Sequence, residues 1–395
     1  MLFDELQAPE IQNFIVEKTG IEISKLALQK NPFNSLDYKI ILNQIESRTK
    51  AKDKLPTWFS CKNIIYPAKI SIEQTSSEAT AKYKASLVSG SNLIDLTGGF
   101  GIDDYYFSKK INSVVHCEIN AELSSIVAHN CIRLNATKIK CVEGDSLDTL
   151  QNLNQKFDWI YIDPSRRSDA KGKVFMLKDC LPNVPELLEI YFNYSDSILL
   201  KTAPILDIAA GLDELRNVKE IHIVALNNEV KELLWILQKN YSKSVTIKTI
   251  NLTKEVDDAF DFQLKTENSA TYGLPQKYLY EPNSAIMKSG GFEQVSSFFS
   301  IDKLHKHSHL YTSNDLIDFP GRIFEIQKIL SYSKKDMNEH LANTKMNITT
   351  RNFSESVENI RKKWKIKDGG TDYCFFTTDQ NENKIVLLCT KINSK

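Results

Sequence analysis

Residues 93 to 101, Leu-Ile-Asp-Leu-Thr-Gly-Gly-Phe-Gly, form a short apolar run that ends in an acid and breaks into a glycine-rich turn. In doubly wound α/β folds such a turn joins the first strand to the first helix, where it cradles an adenosine-containing cofactor. Gly99 and Gly101 let the backbone approach a ligand and take up positive φ, which a side chain would hinder.

Three later segments extend the pattern. Ser113 to Glu118 reads as a second strand whose final acid lies 23 residues past Asp95, the spacing of an acid that holds ribose hydroxyls. Lys140 to Asp145 brings a third acid to a strand end, where Asp145 could accept from an adenine amino group. Phe157 to Ile162 then runs apolar into Asp163-Pro164-Ser165-Arg166-Arg167. In an open parallel sheet these four ends line one edge, the crevice where ligands bind. A nicotinamide cofactor is disfavoured, because counting from Gly99 its pattern needs a third glycine at position 104, which is Asp104.

This series resembles the class I S-adenosylmethionine-dependent methyltransferases. The match rests on the glycine loop at 95 to 101, Glu118, Asp145 and the Asp-Pro after the fourth strand. One departure is that Thr97 stands where the family has its first loop glycine. The segment Gln74 to Lys84, the Asp-Pro-Ser-Arg-Arg motif and the tail from Asn347 to Thr378 further resemble bacterial predicted RNA methyltransferases with a C-terminal THUMP-like domain. The resemblance spans nearly the whole chain. It implies S-adenosyl-L-methionine as cofactor, held by Asp95, Thr97, Gly99, Gly101, Glu118 and Asp145. It also implies a segment near Ser76, Ser77, Glu78 and Thr80 that closes over the cofactor, although Ser76 or Ser77 could equally cap a helix.

Asp163 and Pro164 are the catalytic candidates. Methyl transfer is an in-line displacement, so the protein chiefly positions a nucleophile and accepts its proton. The Asp163 carboxylate and the Pro164 carbonyl can both accept from an exocyclic amino group, although Asp-Pro is also a common turn. The motif ends in Ser165-Arg166-Arg167 rather than a second proline and a stacking aromatic. Guanidinium forks at Arg166 and Arg167 suit phosphate oxygens, but salt bridges to Asp169 or Asp179 are an equal account. Cysteine-dependent pyrimidine chemistry is disfavoured, since the motif holds no cysteine and the nearest is Cys180.

The 395 residues exceed one ordinary core, and 50 basic against 50 acidic side chains leave no net charge, so any nucleic-acid contact must come from local patches. Seven cysteines without a Cys-x-x-Cys pair read as reduced, packed thiols. Residues Met1 to Leu6 lack a leader pattern, and no apolar run approaches the roughly 18 residues that cross a bilayer. A soluble cytoplasmic protein without membrane contact or an obligate protein partner is expected.

Periodicity predicts a helical region over 1–75. Over 76–275 it predicts a Rossmann-like α/β domain of seven strands, with the fifth at Ser197 to Lys201, the sixth at Glu220 to Leu226 and the seventh at Ser244 to Leu252, which the resemblance implies is the methyltransferase domain. A helix is predicted from Glu229 to Gln238. The composition changes near Tyr272 to Pro275, suggesting a small α+β domain over 276–322, which the resemblance implies is ferredoxin-like, and a THUMP-like unit over 323–395. In that last unit Asn352 or Ser354 would cap a helix on which Val357, Ile360 and Trp364 share a face, with Gly369-Gly370 ending it. Arg361, Lys362, Lys363 and Lys365 read as a solvated face or an RNA contact, and Trp364 as core or a stacking platform. His305, His307 and His309 alternate and would share one face of an extended strand, as a metal site or a basic edge.

The expected activity is methylation of a base nitrogen in structured RNA, tRNA or rRNA. Methylation of a small molecule or protein, and an inactive RNA-binding module, are the alternatives.

Overall fold

The computed structural model describes residues 5–33, 35–67, 69–166, 176–264 and 269–392. The chain divides into two compact units, Met1–Lys219 with Leu234–Ser242, and Glu220–Leu233 with Lys243–Lys395.

The first unit opens with helices α1 (Pro9–Lys18), α2 (Ile23–Ala27), α3 (Tyr38–Lys54), α4 (Pro56–Ser60), α5 (Lys69–Gln74) and α6 (Glu78–Leu87). Strands and helices then alternate: β1 (Asn92–Asp95), α7 (Ile102–Phe107), β2 (Ser113–Glu118), α8 (Ala121–Arg133), β3 (Ile139–Glu143), α9 (Ser146–Leu153) and β4 (Trp159–Ile162). A short antiparallel pair, β5 (Ser165–Arg166) with β6 (Cys180–Leu181), precedes α10 (Val184–Tyr191), β7 (Ser197–Thr202) and α11 (Ile208–Glu214). The parallel strands run in the order β3-β2-β1-β4-β7, with Ile94 opposite both Val115 and Ile160, and Ile160 opposite Ile198. β1 therefore lies at the point where the strand order reverses, and its carboxyl end opens into the binding crevice of a doubly wound sheet.

The helical N-terminal region packs onto this sheet unit through paired amides. Gln44 on α3 donates to the Tyr66 carbonyl (2.7 Å) and accepts from its N–H (2.9 Å). Asn130 on α8 does the same for Ile65, at 2.8 and 3.0 Å. Both amides are buried, so Ile65 and Tyr66, in the stretch 64–67, have their backbone satisfied without a sheet. That stretch leads into α5, whose end walls the cavity described below.

The hairpin of β8 (Val218–Leu226) and β9 (Glu229–Gln238) supplies residues to both units. The expected helix over 229–238 is thus a strand. Asn227 and Asn228 both have positive φ, the backbone of a two-residue hairpin turn. Leu233 through Leu237 are all buried, which gives a continuous apolar run instead of alternation. In the second unit β10 (Thr246–Leu252) runs parallel to β8 and antiparallel to β11 (Asp258–Gln263). Among the described residues β9 and β11 bring the large sheet to nine strands where seven were expected, with β5 and β6 paired apart from it.

The rest of the second unit is a seven-stranded sheet, ordered β13-β14-β12-β15-β18-β17-β16. It comprises β12 (Tyr278–Pro282), β13 (Asp302–Lys303), β14 (Tyr311–Ser313), β15 (Gly321–Ser331), β16 (Asn347–Arg351), β17 (Asp372–Thr378) and β18 (Lys384–Ile392). Helices α12 (Ser284–Ser289), α13 (Phe292–Phe299), α14 (Lys334–His340) and α15 (Val357–Trp364) accompany it. One apolar cluster gathers Tyr280, Ile286, Val295 and Phe319, and another gathers Met337, Ile360, Cys374 and Phe376. Helix α15 is capped by Ser356, which accepts from the Asn359 N–H, rather than by Asn352 or Ser354. It ends at left-handed Lys365, before Gly369 and Gly370.

The three histidines do not lie on an extended strand. Ser308 bonds back to the His305 carbonyl, His309 has φ +51°, and the segment turns. His305 is buried between Glu382 (3.0 Å) and Asn352 (2.8 Å), and no metal-ligand cluster forms among the described residues.

Candidate active site

A cavity of about 550 Å³ opens at the carboxyl ends of β1, β2 and β4. Its wall brings together Asp95, Thr97, Gly99, Gly101, Glu118, Asp145, Asp163 and Ser165. Pro164 lies between the last two. Arg166 continues into β5, and Arg167 falls outside the described residues.

The glycine loop is braced by acids on either side. Asp95, 1 % exposed, accepts from the Thr97 N–H at 2.7 Å and the Thr97 hydroxyl at 3.1 Å. Glu118 accepts from the Gly99 N–H at 2.9 Å through Oε2 and from the Asn120 N–H at 2.8 Å through Oε1. Gly99 and Gly101 take φ of +54° and +70°, as their positions in the turn require. Gly98 has a different reason: a Cβ there would meet the His116 ring at 2.2 Å. Asp145 caps α9, Oδ1 accepting from the Leu147 and Asp148 N–H groups at 2.8 and 3.2 Å. Among the described residues its Oδ2 takes no hydrogen bond, and the residue is exposed in the cavity wall.

Beneath the loop is a buried acid pair. Asp104 contacts His116 Nδ1 at 2.6 Å, and all three of Asp95, Asp104 and His116 are buried. Burial, then the neighbouring carboxyl groups, hold Asp95 and Asp104 well above the ordinary carboxylate range.

Two lysines complete the site. At the end of β7, Lys201 contacts Asp163 Oδ2 at 2.5 Å, while the Asp163 N–H donates to the Thr97 hydroxyl at 2.7 Å. Lys84 is fully buried; it donates to the Ser76 hydroxyl at 3.0 Å and pairs with Asp103 at 3.3 Å. Ser76 and Tyr161 both donate to Asp103, at 2.9 and 2.8 Å. Gln74, Thr75 and Ser76 thereby become a fixed wall of the cavity. Helix capping falls to Ser77, which accepts from the Thr80 N–H, and Glu78 instead accepts from the Thr57 N–H and the Tyr106 hydroxyl.

Across the whole chain the fold is that of a putative methyltransferase from Porphyromonas gingivalis W83, which is 30 % identical, with 99 % of each chain covered and a TM-score of 0.88. The chain belongs to the class I methyltransferases that carry a C-terminal THUMP-like domain. Within this methyltransferase, residues 278–320 match the profile of a ferredoxin-like domain and residues 321–391 that of a THUMP domain-like family. Much weaker likenesses include an O-methyltransferase from Bacillus cereus in complex with SAH, 15 % identical, covering 57 % of this chain and 100 % of that one, with a TM-score of 0.34. Another is an rRNA methylase from Streptococcus thermophilus, 13 % identical, covering 40 % and 93 %, with a TM-score of 0.30. No curated protein matches the chain.

Sequence reasoning on this methyltransferase missed Lys84, Lys201, Asp103 and Asp104 as parts of the site. A lysine in an apolar strand such as Ser197 to Lys201 was the available signal, because a strand-end charge there must face the crevice.

Proposed function

We propose that this chain is an S-adenosylmethionine-dependent methyltransferase that methylates a base nitrogen of structured RNA, a tRNA or an rRNA. The observation that carries the reading is one cavity walled by the glycine loop, two strand-end acids and the Asp163 motif. Its volume lies within the usual range for small-molecule sites.

The wall fits the cofactor's parts. Glu118 is locked by two backbone N–H groups and keeps lone pairs for ribose hydroxyls. Asp145 Oδ2 can accept from an adenine amino group. Ile119, 73 % exposed although apolar, and Leu123 offer a surface for a flat ring. Thr97, Gly99 and Gly101 bring backbone close to the ligand, and Asp95 orients them from below. When bound, S-adenosylmethionine supplies a methyl group on a positively charged sulfur.

The chain's own work is to position the acceptor and take its proton. Asp163 accepts from the acceptor N–H, directing the nitrogen lone pair, and receives the proton that the methylated nitrogen releases. Lys201 holds the carboxylate in place and keeps its charge compensated. The Pro164 carbonyl adds a second acceptor, and Ser165, Arg166 and Arg167 contact the RNA backbone. The THUMP-like unit supports RNA as the substrate. All seven cysteines are free, in keeping with a reducing cytoplasm. Among the described residues no helix is long and apolar enough to cross a membrane.

The test is mass spectrometry of nucleosides in RNA from cells with and without the gene. One methylated nucleoside should vanish and return with the wild type but not with Asp163→Ala, whose rate in vitro should drop about 10²- to 10⁴-fold. Full restoration by that variant removes Asp163 from the mechanism. An unchanged set of RNA nucleosides rejects RNA as the substrate.

A further inference from the structure

In the second unit a second cavity, of about 520 Å³, opens between α14 with the residues that follow it and the end of α15. Its wall combines three kinds of side chain. Tyr332 and Trp364 supply aromatic surface, their ring centroids 6.4 Å apart and nearly perpendicular. Asn338 and Asn343 supply amides, neither of which bonds through its side chain to any described residue. Lys334 and Lys365 supply charge, and neither pairs with an acid among the described residues.

A third lysine marks the contrast. Lys363 donates to the Tyr332 hydroxyl at 3.0 Å and to Glu355 at 3.2 Å, and lies over both rings, so its charge is already matched. The Tyr332 hydroxyl, which donates to Glu355 at 2.7 Å, and after it Lys363 draw the Glu355 carboxyl below its usual range. Among the described residues Lys334 and Lys365 have no such partner, which leaves the cavity rim with positive charge to offer.

Trp364 belongs both to the core and to the cavity. It packs against the cluster of Met337, Ile360 and Phe376, yet it also forms part of the wall. The packing fixes the ring's orientation beforehand, which lowers the cost of binding a flat partner.

From this set we infer that the cavity is a nucleotide-binding site: the aromatic surface takes a base, the two asparagine amides read its edge, and Lys334 and Lys365 hold a phosphate. Aromatic stacking accepts any base, and ammonium groups accept any phosphate. An amide presents a donor and an acceptor together, as a base edge does. The nucleotide is either free or a unit of a single RNA strand. The inference stands on the second unit alone and goes beyond the methyl-transfer reading.

The experiment titrates the full chain with AMP and, separately, with a single-stranded RNA of about ten nucleotides. Binding is followed by quenching of Trp364 fluorescence, obtained by difference from the Trp364→Phe chain. The decisive variant carries Lys334→Glu and Lys365→Gly. An acid suits the first residue of α14, and glycine suits the left-handed backbone at 365, so the fold is kept. Saturable quenching is expected, with affinity about tenfold weaker in the double variant and a shallower dependence on salt. Asn338→Ala should weaken binding without changing the salt dependence. Quenching by AMP assigns the site to a free nucleotide, and quenching by the RNA alone assigns it to a strand. Absence of quenching by both ligands, or equal affinity in the double variant, overturns the proposal. Neither readout involves methyl transfer, so this result and the catalytic reading fail independently.

Discussion

The two units bury their carboxylates in opposite company. In the first, Asp95 and Asp104 face each other and His116 beneath the glycine loop, and both acids are pushed toward keeping a proton. In the second, Glu281 on β12 is just as buried but is clamped by Arg322 on β15, directly opposite it in the ladder, and by Arg351 on β16 at 2.8 Å. The first arrangement gives up charge beneath the glycine loop; the second uses charge to tie strands together. A buried acid is thus a different device depending on whether its neighbours are acids or arginines.

The contrast can be broken most severely at Glu281. Glu281→Gln keeps the shape but leaves two guanidinium groups without their anion. Stability should fall by about 2 to 3 kcal/mol, below the range for fully buried pairs because both arginines are about a third exposed. Chemical denaturation checks this, and an unchanged midpoint would mean that the clamp does not brace the sheet.

Gly98→Ala tests the other side. The added methyl drives into His116, so a loss of about 1 to 3 kcal/mol is expected, together with weaker binding of S-adenosylmethionine by calorimetry. If cofactor affinity survives while stability drops, the layer beneath the loop is merely structural.

The smallest effect is the most diagnostic, because its sign differs between the units. An acid with a raised pKa holds a proton that the unfolded chain has already released, so the contribution of Asp95 and Asp104 is complete below 3.8 and is lost as pH climbs. Glu220, in the second unit, is pulled from 4.5 to about 2 by hydrogen bonds from His222 and Lys248. Its contribution is complete above 4.5 and is lost as pH falls toward 2. Denaturation midpoints from about pH 2 to pH 9 should show Asp104→Asn flattening the alkaline decline and Glu220→Gln the acid one, the latter by about 1 kcal/mol because Glu220 is only part-buried and solvent screens the pair. Identical pH profiles for both variants and the wild type would erase the distinction.

How much of this was legible in the sequence follows from what each residue signals locally. The strand ends at Asp95, Glu118, Asp145 and Asp163 were visible because each closes an apolar run on an acid, with Gly144 before Asp145, Pro164 after Asp163 and the glycine loop shortly after Asp95. Strand β9 was misread because a strand covered on both faces shows Leu233 to Leu237 as one apolar block, and helical spacing fits such a block as well. The Asn227-Asn228 pair was the clue to a hairpin, as both residues tolerate positive φ. Lys84 was illegible: a lysine on a helix reads as solvated, and only the fold shows it buried against Ser76 and Asp103. The same holds for His116, which gains meaning only when Gly98 lies against it.

Thr97 has a consequence for the sequence of events at the site. Its single hydroxyl donates to the Asp95 carboxylate and accepts from the Asp163 backbone, so the loop proposed to meet the cofactor and the segment proposed to meet the acceptor share one pin. Whatever settles the first also registers the second. On the proposed reading the two ligands should not arrive independently: a chain loaded with methyl donor would present its acceptor pocket pre-aligned, and steady-state kinetics should show an ordered rather than a random scheme.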